Sequence, residues 1–222
     1  TLLLLALSVH SGAVLGDEPR SETVAPYART ILADKPVAYW SMEEQQGQRI
    51  QNRTAAGTAL DGRLVKQVML GQAGPRLPDY PLFNNENRAL LLDNPAGWVV
   101  VSDPGERSPL DFDNGDSITI EAWINLQSLS EGQQVYILGK GRTKNPGVAS
   151  ENQNYSLRMR GMQGTAHLSF LFRNADNRPG QQNDFHRWNS KDGLILDGRW
   201  HHVAFVYRFG DPDSAHAVID GT

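Results

Sequence analysis

Residues 117–125 read SITIEAWIN, and this stretch decides the fold class of the chain. Apolar side chains return along it with a period of two, which is typical of a β-strand with one buried face. The pattern predicts a core face and a second face of mixed character. The core face is expected to carry Ile118, Ile120, Ala122 and Ile124, and the mixed face Ser117, Thr119, Glu121, Trp123 and Asn125.

The rest of the chain predicts further short strands and no long helix. A second buried strand reads WHHVAFVY at residues 200–207. Residues 89–93 and 98–102 flank the turn sequence NPAG, which predicts a hairpin. Gly and Pro interrupt residues 44–88, where short strands are expected at most. Further strands are expected at residues 134–139, 155–160, 167–173 and 215–219. Short strands between such turns predict an all-β sandwich or jelly roll.

The composition narrows the class of protein. The chain has 222 residues, 39% of them hydrophobic and 21% charged, which fits one folded all-β domain. Its net charge is −4, and it has no basic stripe, so no nucleic-acid partner is expected. It contains no cysteine, which excludes disulfides and cysteine-bound zinc. Extracellular animal domains are usually rich in disulfides, so a bacterial protein is expected.

The N-terminal segment predicts secretion. Residues 1–16 contain no Asp, Glu, Lys or Arg and combine an apolar run with small residues. We interpret residues 1–20 as a signal peptide without its start, which would not pack in the mature fold. The run is short for a transmembrane anchor, so no membrane span is expected in the mature form. Residues 21–33 are expected to form a linker with a short helical turn. The expected location is the periplasm or the cell surface.

Several motifs follow one another in a recognisable order. They are VAYWSME at residues 37–43, ILGKG at 137–141, DGRWHHVA at 197–204 and IDG at 219–221, together with the strands described above. This order resembles the laminin-G-like, concanavalin A-like jelly-roll family in its bacterial form. The resemblance implies a two-sheet antiparallel sandwich over residues 34–222. In that family further strands follow the IDG turn, so the domain is expected to be incomplete at its C-terminus.

The resemblance also implies a function. It points to a secreted, non-catalytic recognition module within a larger multidomain protein, binding carbohydrate or an extracellular partner. One alternative is a glycoside hydrolase or lyase on the same fold. Another is a spacer domain that packs against a catalytic domain elsewhere in the polypeptide.

Glu121 is the strongest candidate for catalysis. Jelly-roll glycosidases need two carboxylates that flank the scissile bond. The face of Glu121 on its own strand carries no second carboxylate, so a structural, hydrogen-bonded role is favoured and no catalytic residue is assigned. Trp123, on the same face, could stack on a sugar ring, although a core position is favoured.

The sequence gives weaker evidence for a metal site than for a carbohydrate site. His201 and His202 are adjacent in a predicted strand and therefore point to opposite faces, which argues against a shared metal ion. Calcium is the more plausible cofactor, because it takes carboxylate and carbonyl oxygens from turns. Asp93 and Asp103 are the candidate ligands.

A polar segment rich in aromatic residues, at residues 183–189, is the candidate recognition loop. Asn183, Phe185, His186 and Trp188 combine amide and aromatic groups of the kind that bind sugars, and loops on a rigid sandwich commonly carry recognition. The alternative is that these aromatic side chains fold back onto the sheet. The basic residues Arg142, Lys144, Arg158 and Arg160 could contact an acidic glycan, although a solvated surface is favoured.

Overall fold

The structure is a computed structural model, and it describes residues 6–10, 25–92, 97–103, 105, 108–141, 154–173, 185–194 and 196–222. For residues 6–10 it describes the backbone. One helix, α1, spans Pro26–Ala33, and a 3-10 helix spans Gly57–Leu60. The strands are β1 Ala6–His10, β2 Ala38–Trp40, β3 Arg49–Ile50, β4 Gly62–Val65, β5 Met69–Ala73, β6 Arg88–Leu91, β7 Trp98–Val101, β8 Ser117–Asn125, β9 Gln134–Lys140, β10 Tyr155–Met162, β11 Thr165–Arg173, β12 Phe185–Asn189, β13 Trp200–Arg208 and β14 Asp211–Ile219.

The chain divides into two compact units. The first unit contains residues 1–127 and 198–222, and the second contains residues 128–197. Every strand pair in both units is antiparallel. None of the described helices is long and apolar enough to cross a membrane.

The main sheet of the first unit has the strand order β14-β13-β8-β1-β2. Its core face is the predicted one. Ile118, Ile120, Ala122 and Ile124 are completely buried, and Val203, Phe205 and Tyr207 lie on the same face of the neighbouring strand. Burial of this apolar row favours the observed register between β8 and β13.

Strand β1 lies within residues 1–20, the segment that the sequence predicts to be a signal peptide absent from the mature fold, and that expectation stays a prediction. The backbone of Ala6–His10 pairs with β2 on one side and with β8 on the other. An interior strand position requires that the backbone N–H and C=O groups on both sides find partners, and this apolar segment provides them. The interpretation of residues 1–20 as a signal peptide stays a prediction.

The predicted hairpin between residues 89–93 and 98–102 is wrong. Strand β6 pairs with β5, whereas β7 pairs with β4 in a separate sheet of order β3-β4-β7. The segment between β6 and β7 therefore links two sheets. Residues 44–88 contain only short strands, as expected.

The second unit contains one four-stranded sheet of order β12-β11-β10-β9. The register places Leu157, Met159, Leu168 and Phe170 on one face, where all four side chains are completely buried. Residues 185–189, predicted as part of a loop, form the edge strand β12. They pair with Ser169–Arg173, which satisfies the outer backbone groups of β11.

Candidate functional site

Trp123 lies on the mixed face of β8 and belongs to a small aromatic cluster. Its ring meets those of Tyr27, Tyr80 and Phe83 almost at right angles, with centroid distances of 6.1, 5.5 and 5.3 Å. Helix α1 contributes Tyr27, which is buried together with Phe83. Edge-to-face packing of this kind stabilises a cluster beyond its buried area. Trp123 therefore has a packing role, which leaves less of its ring for a ligand.

Glu121 lies beside this cluster. Its Oε2 is 3.4 Å from Nε2 of His202, which is on the next strand and the same face. Burial, and next the negative charge of Glu121, raise the pKa of the Tyr27 phenol above its ordinary value. The residues registered opposite Glu121 on the two flanking strands are Ser8 and Ala204, neither of which is a carboxylate.

The two adjacent histidines point to opposite faces, as the strand alternation predicts. His201 is buried on the core side, and its Nδ1 lies 2.7 Å from Oδ2 of Asp220. His202 lies 5.5 Å from the Trp123 ring. The described part of the chain contains no group of three metal-ligating side chains close enough to hold one ion.

A cavity of about 480 Å³ opens near these residues, within the first unit. Tyr80 closes one side of it. The Trp200 N–H donates to the Tyr80 hydroxyl at 2.9 Å, and this hydroxyl lies 3.1 Å from the Trp200 carbonyl oxygen. The lining side chains are Asp79, Tyr80, Trp123, Arg199, Trp200, His201 and Asp220.

The structure describes one of the two candidate calcium ligands. Oδ1 of Asp103 accepts a hydrogen bond from the Gly105 N–H at 3.0 Å, which is an Asx turn within the loop. Asp93 lies outside the described residues. Calcium binding therefore stays a prediction.

The candidate recognition residues of segment 183–189 separate onto two faces of the sheet. His186 and Trp188 stack on Phe172, with ring centroids 4.7 and 5.7 Å from it. Phe185 is registered opposite Arg173 and therefore lies on the other face, 41% exposed. Asn183 is outside the described residues. His186 and Trp188 thus belong to a strand of the sheet and stack on one of its rings, and their part in ligand binding stays a prediction.

Among the described residues, four arginines lie on the face that carries Phe185, and we call this face the arginine face. Strand alternation and register place Arg158 and Arg160 of β10 on it, next to Arg173 of β11 and Arg187 of β12. Contacts confirm the assignment. The Arg158 guanidinium is 3.4 Å from the Ser169 hydroxyl and lies over the Tyr136 ring at 5.8 Å, and Arg173 lies over the Phe185 ring at 5.6 Å.

Arg158 is the buried member of the arginine face, with 4% of its surface exposed. Burial lowers the pKa of its guanidinium below the ordinary value, and the charges of Arg187 and Arg160 lower it further, whereas Tyr136 opposes them. Arginine nevertheless stays protonated at neutral pH. A positive charge is therefore held in a poorly solvated position.

The second unit is basic although the whole chain is acidic. Residues 128–197 contain nine Lys and Arg against six Asp and Glu, a net charge of +3, whereas the full chain carries −4. The remaining residues therefore carry −7. The sign of the net charge therefore differs between the two parts of the chain.

A family model described as the concanavalin A-like lectin/glucanases superfamily matches residues 97–222, which is more than half of the chain. The chain belongs to this superfamily. The match extends over β7 to β14 and, with the antiparallel sheets, confirms the expected all-β, concanavalin A-like fold class. Comparisons with curated proteins and with solved structures gave no match.

Within this superfamily domain, sequence reasoning missed half of the arginine face. The sequence analysis names Arg158 and Arg160, and also Arg142 and Lys144, which lie outside the described residues. It does not name Arg173, although Arg173 lies on a predicted strand, or Arg187, which lies in the segment interpreted as a loop. The alternation of Phe185, Arg187 and Asn189 with His186 and Trp188 was the available signal. A strand interpretation of residues 185–189 places Arg187 on the same face as Phe185.

Proposed function

We propose that this chain is a secreted, non-catalytic recognition module that binds carbohydrate through the arginine face. The observation that carries the proposal is the composition of this face. It combines an exposed aromatic ring, Phe185, with guanidinium groups on the strands of one sheet. Sugars present apolar C–H patches beside hydroxyl groups, and aromatic rings next to hydrogen-bond donors match that chemistry.

Support for a carbohydrate ligand comes from the superfamily, which is described by its lectins and glucanases. Support for secretion comes from the uncharged, apolar sequence of residues 1–16. Membership of a larger multidomain protein is part of the same proposal, because a recognition module usually directs an attached domain to its target.

Support for binding rather than hydrolysis comes from the surroundings of Glu121. Glycosidases place their two carboxyl groups about 5–9.5 Å apart across the scissile bond. Ser8 and Ala204 occupy the registered positions beside Glu121, and Thr119 and Trp123 are its neighbours along the same face. Oε2 of Glu121 lies 3.4 Å from Nε2 of His202, a contact that supports a structural role for the carboxylate.

The alternative function is a glycosidase that uses Glu121, and the observation that favours it is the cavity beside Trp123. Hydrolysis assays on polysaccharides with the native chain and with Glu121→Gln separate the two functions. We expect no turnover by either protein. Turnover that is lost in Glu121→Gln would establish the enzyme instead.

The binding proposal is tested with the full chain on a glycan array. Phe185→Ala is the informative variant, and Trp98→Ala is the matched control. The two rings are similarly exposed, at 41% and 44%, and each has a cation close to its face, Arg173 at 5.6 Å and Lys66 at 5.5 Å. Phe185 belongs to the arginine face, whereas Trp98 lies on β7 in the other unit. We expect Phe185→Ala to weaken glycan binding and Trp98→Ala to leave it unchanged.

A further inference from the structure

We propose that the arginine face selects acidic glycans, whose carboxylate or sulfate groups are held by Arg160 and Arg187 above the buried charge of Arg158. The inference rests on the proposed carbohydrate-binding function and specifies its ligand class.

The first argument is the environment of Arg158. Its side chain is more than nine-tenths buried, and its Nε has no hydrogen-bond partner among the described residues. Its contacts are the Ser169 hydroxyl and the Tyr136 side chain, which are both uncharged. A buried charge without a counterion is costly unless something else compensates it. An anion bound at this face would supply the missing compensation.

The second argument is the number of like charges. Arg160 and Arg187 are close enough to Arg158 to lower its pKa by repulsion. Neither forms an ion pair with a carboxylate in the described part of the chain, and Nε of Arg160 is buried without a hydrogen-bond partner there. Two cations that each repel the buried charge of Arg158 are unfavourable for stability alone. Planar guanidinium groups match the geometry of carboxylate and sulfate oxygens.

The third argument favours a glycan over other polyanions. The cations are flanked by the rings of Tyr136 and Phe185. A mixture of rings and cations suits uronate or sulfated sugars, which present an apolar ring face next to an anionic group.

The test measures binding of the full chain to heparin and polygalacturonate, with dextran as the neutral polymer and a single-stranded DNA oligonucleotide as the non-glycan polyanion. Arg187→Gln is the main variant, because Arg187 is exposed and its loss leaves the core intact. Arg63→Gln is the matched control, since Arg63 is also exposed on a strand and loses the same charge. We expect Arg187→Gln to weaken binding of an acidic glycan by about tenfold, as for loss of a charge-assisted hydrogen bond. Arg63→Gln should bind like the native chain.

A second variant, Arg158→Met, separates a binding role from a structural one. Replacement of a buried charge by an apolar side chain of similar length often leaves stability unchanged or raises it. We expect Arg158→Met to unfold at the same or a higher temperature and to bind acidic glycans several-fold more weakly. A lower unfolding temperature with unchanged binding would show that Arg158 is structural and would overturn its part in the proposal.

The remaining outcomes are also decisive. Binding to dextran with no preference for acidic glycans, or an Arg187→Gln variant that binds like the native chain, would overturn this inference but leave the proposed function in place. Absence of binding to any glycan would overturn both. DNA binding as tight as glycan binding at about 0.15 M salt would show a general polyanion site instead.

Discussion

Three aromatic residues, Phe185, His186 and Trp188, are close together in the sequence, yet they lie on different faces of the sheet. Phe185 shares its face with the arginines, whereas the other two stack on Phe172. The difference follows from strand alternation, in which a shift of one residue reverses the face. For this reason the aromatic side chains of residues 185–189 divide between the arginine face and the stack on Phe172, and the predicted binding roles of His186 and Trp188 stay predictions.

Trp188→Ala is expected to affect stability more than binding. Its ring packs against Phe170 and Phe172, and loss of a large, partly buried aromatic side chain costs about 2–4 kcal/mol. Urea unfolding of the native and variant chains measures this loss. Glycan binding by the folded fraction should stay within about twofold of native. Strong binding loss in a fully stable variant would instead assign Trp188 to the binding site.

Tyr27 predicts a loss of stability at alkaline pH. Burial, with a further contribution from Glu121, raises the pKa of the folded phenol, whereas the unfolded phenol ionises near pH 10. The folded state thus keeps its proton while the unfolded state loses it. The full contribution of Tyr27 is present below pH of about 10, and above it stability falls by up to about 1.4 kcal/mol per pH unit. Urea unfolding at several alkaline pH values should show a shallower fall in Tyr27→Phe, and equal slopes would contradict the prediction.

At the scale of elements, the position of β10 requires that its backbone at Gly161 lie close to the backbone of Ser130. A Cβ atom on Gly161 would overlap the carbonyl oxygen of Ser130. Gly161→Ala should therefore destabilise the chain by about 1–3 kcal/mol, because the backbone must shift. Gly139→Ala is the control, since its Cβ would lie 3.3 Å from the Ser156 Cβ, a contact that a small adjustment relieves. Thermal unfolding of both variants compares the two, and equal stability would contradict the assigned geometry.

Strand β1 supports a second prediction at this scale. Val9 is registered between Ala38 and Ile120 in the interior of a sheet. In a chain that retains residues 1–20, a proline at this position removes a backbone donor, so Val9→Pro should destabilise that chain by about 1–3 kcal/mol. Denaturant unfolding of a protein whose N-terminus is verified by mass spectrometry measures the effect. An unchanged stability would show that another segment, or none, completes the sheet between β2 and β8.

At the scale of the whole molecule, local patterns predicted the elements well and their partners less well. The two faces of β8 and the strands β9, β10, β11 and β13 follow from periodicity, which is a local property. The partners of β6 and β7 were wrong, because pairing depends on strands far away in sequence. The arginine face was predicted only in part, because residues 185–189 were interpreted as a loop and not as a strand. Its members come from three strands and meet only through cross-strand register.

The measurement that tests the central claim most directly is a map of the ligand on the full chain by amide chemical-shift perturbation in NMR. Titration with a short acidic oligosaccharide should shift the resonances of Tyr136, Arg158, Ser169, Phe185 and Arg187, with little change around Trp123 and His202. These predicted shifts would place recognition on the arginine face of the second unit. Shifts confined to the cavity lined by Trp123, His201 and Asp220 would contradict this account and assign the ligand to the first unit.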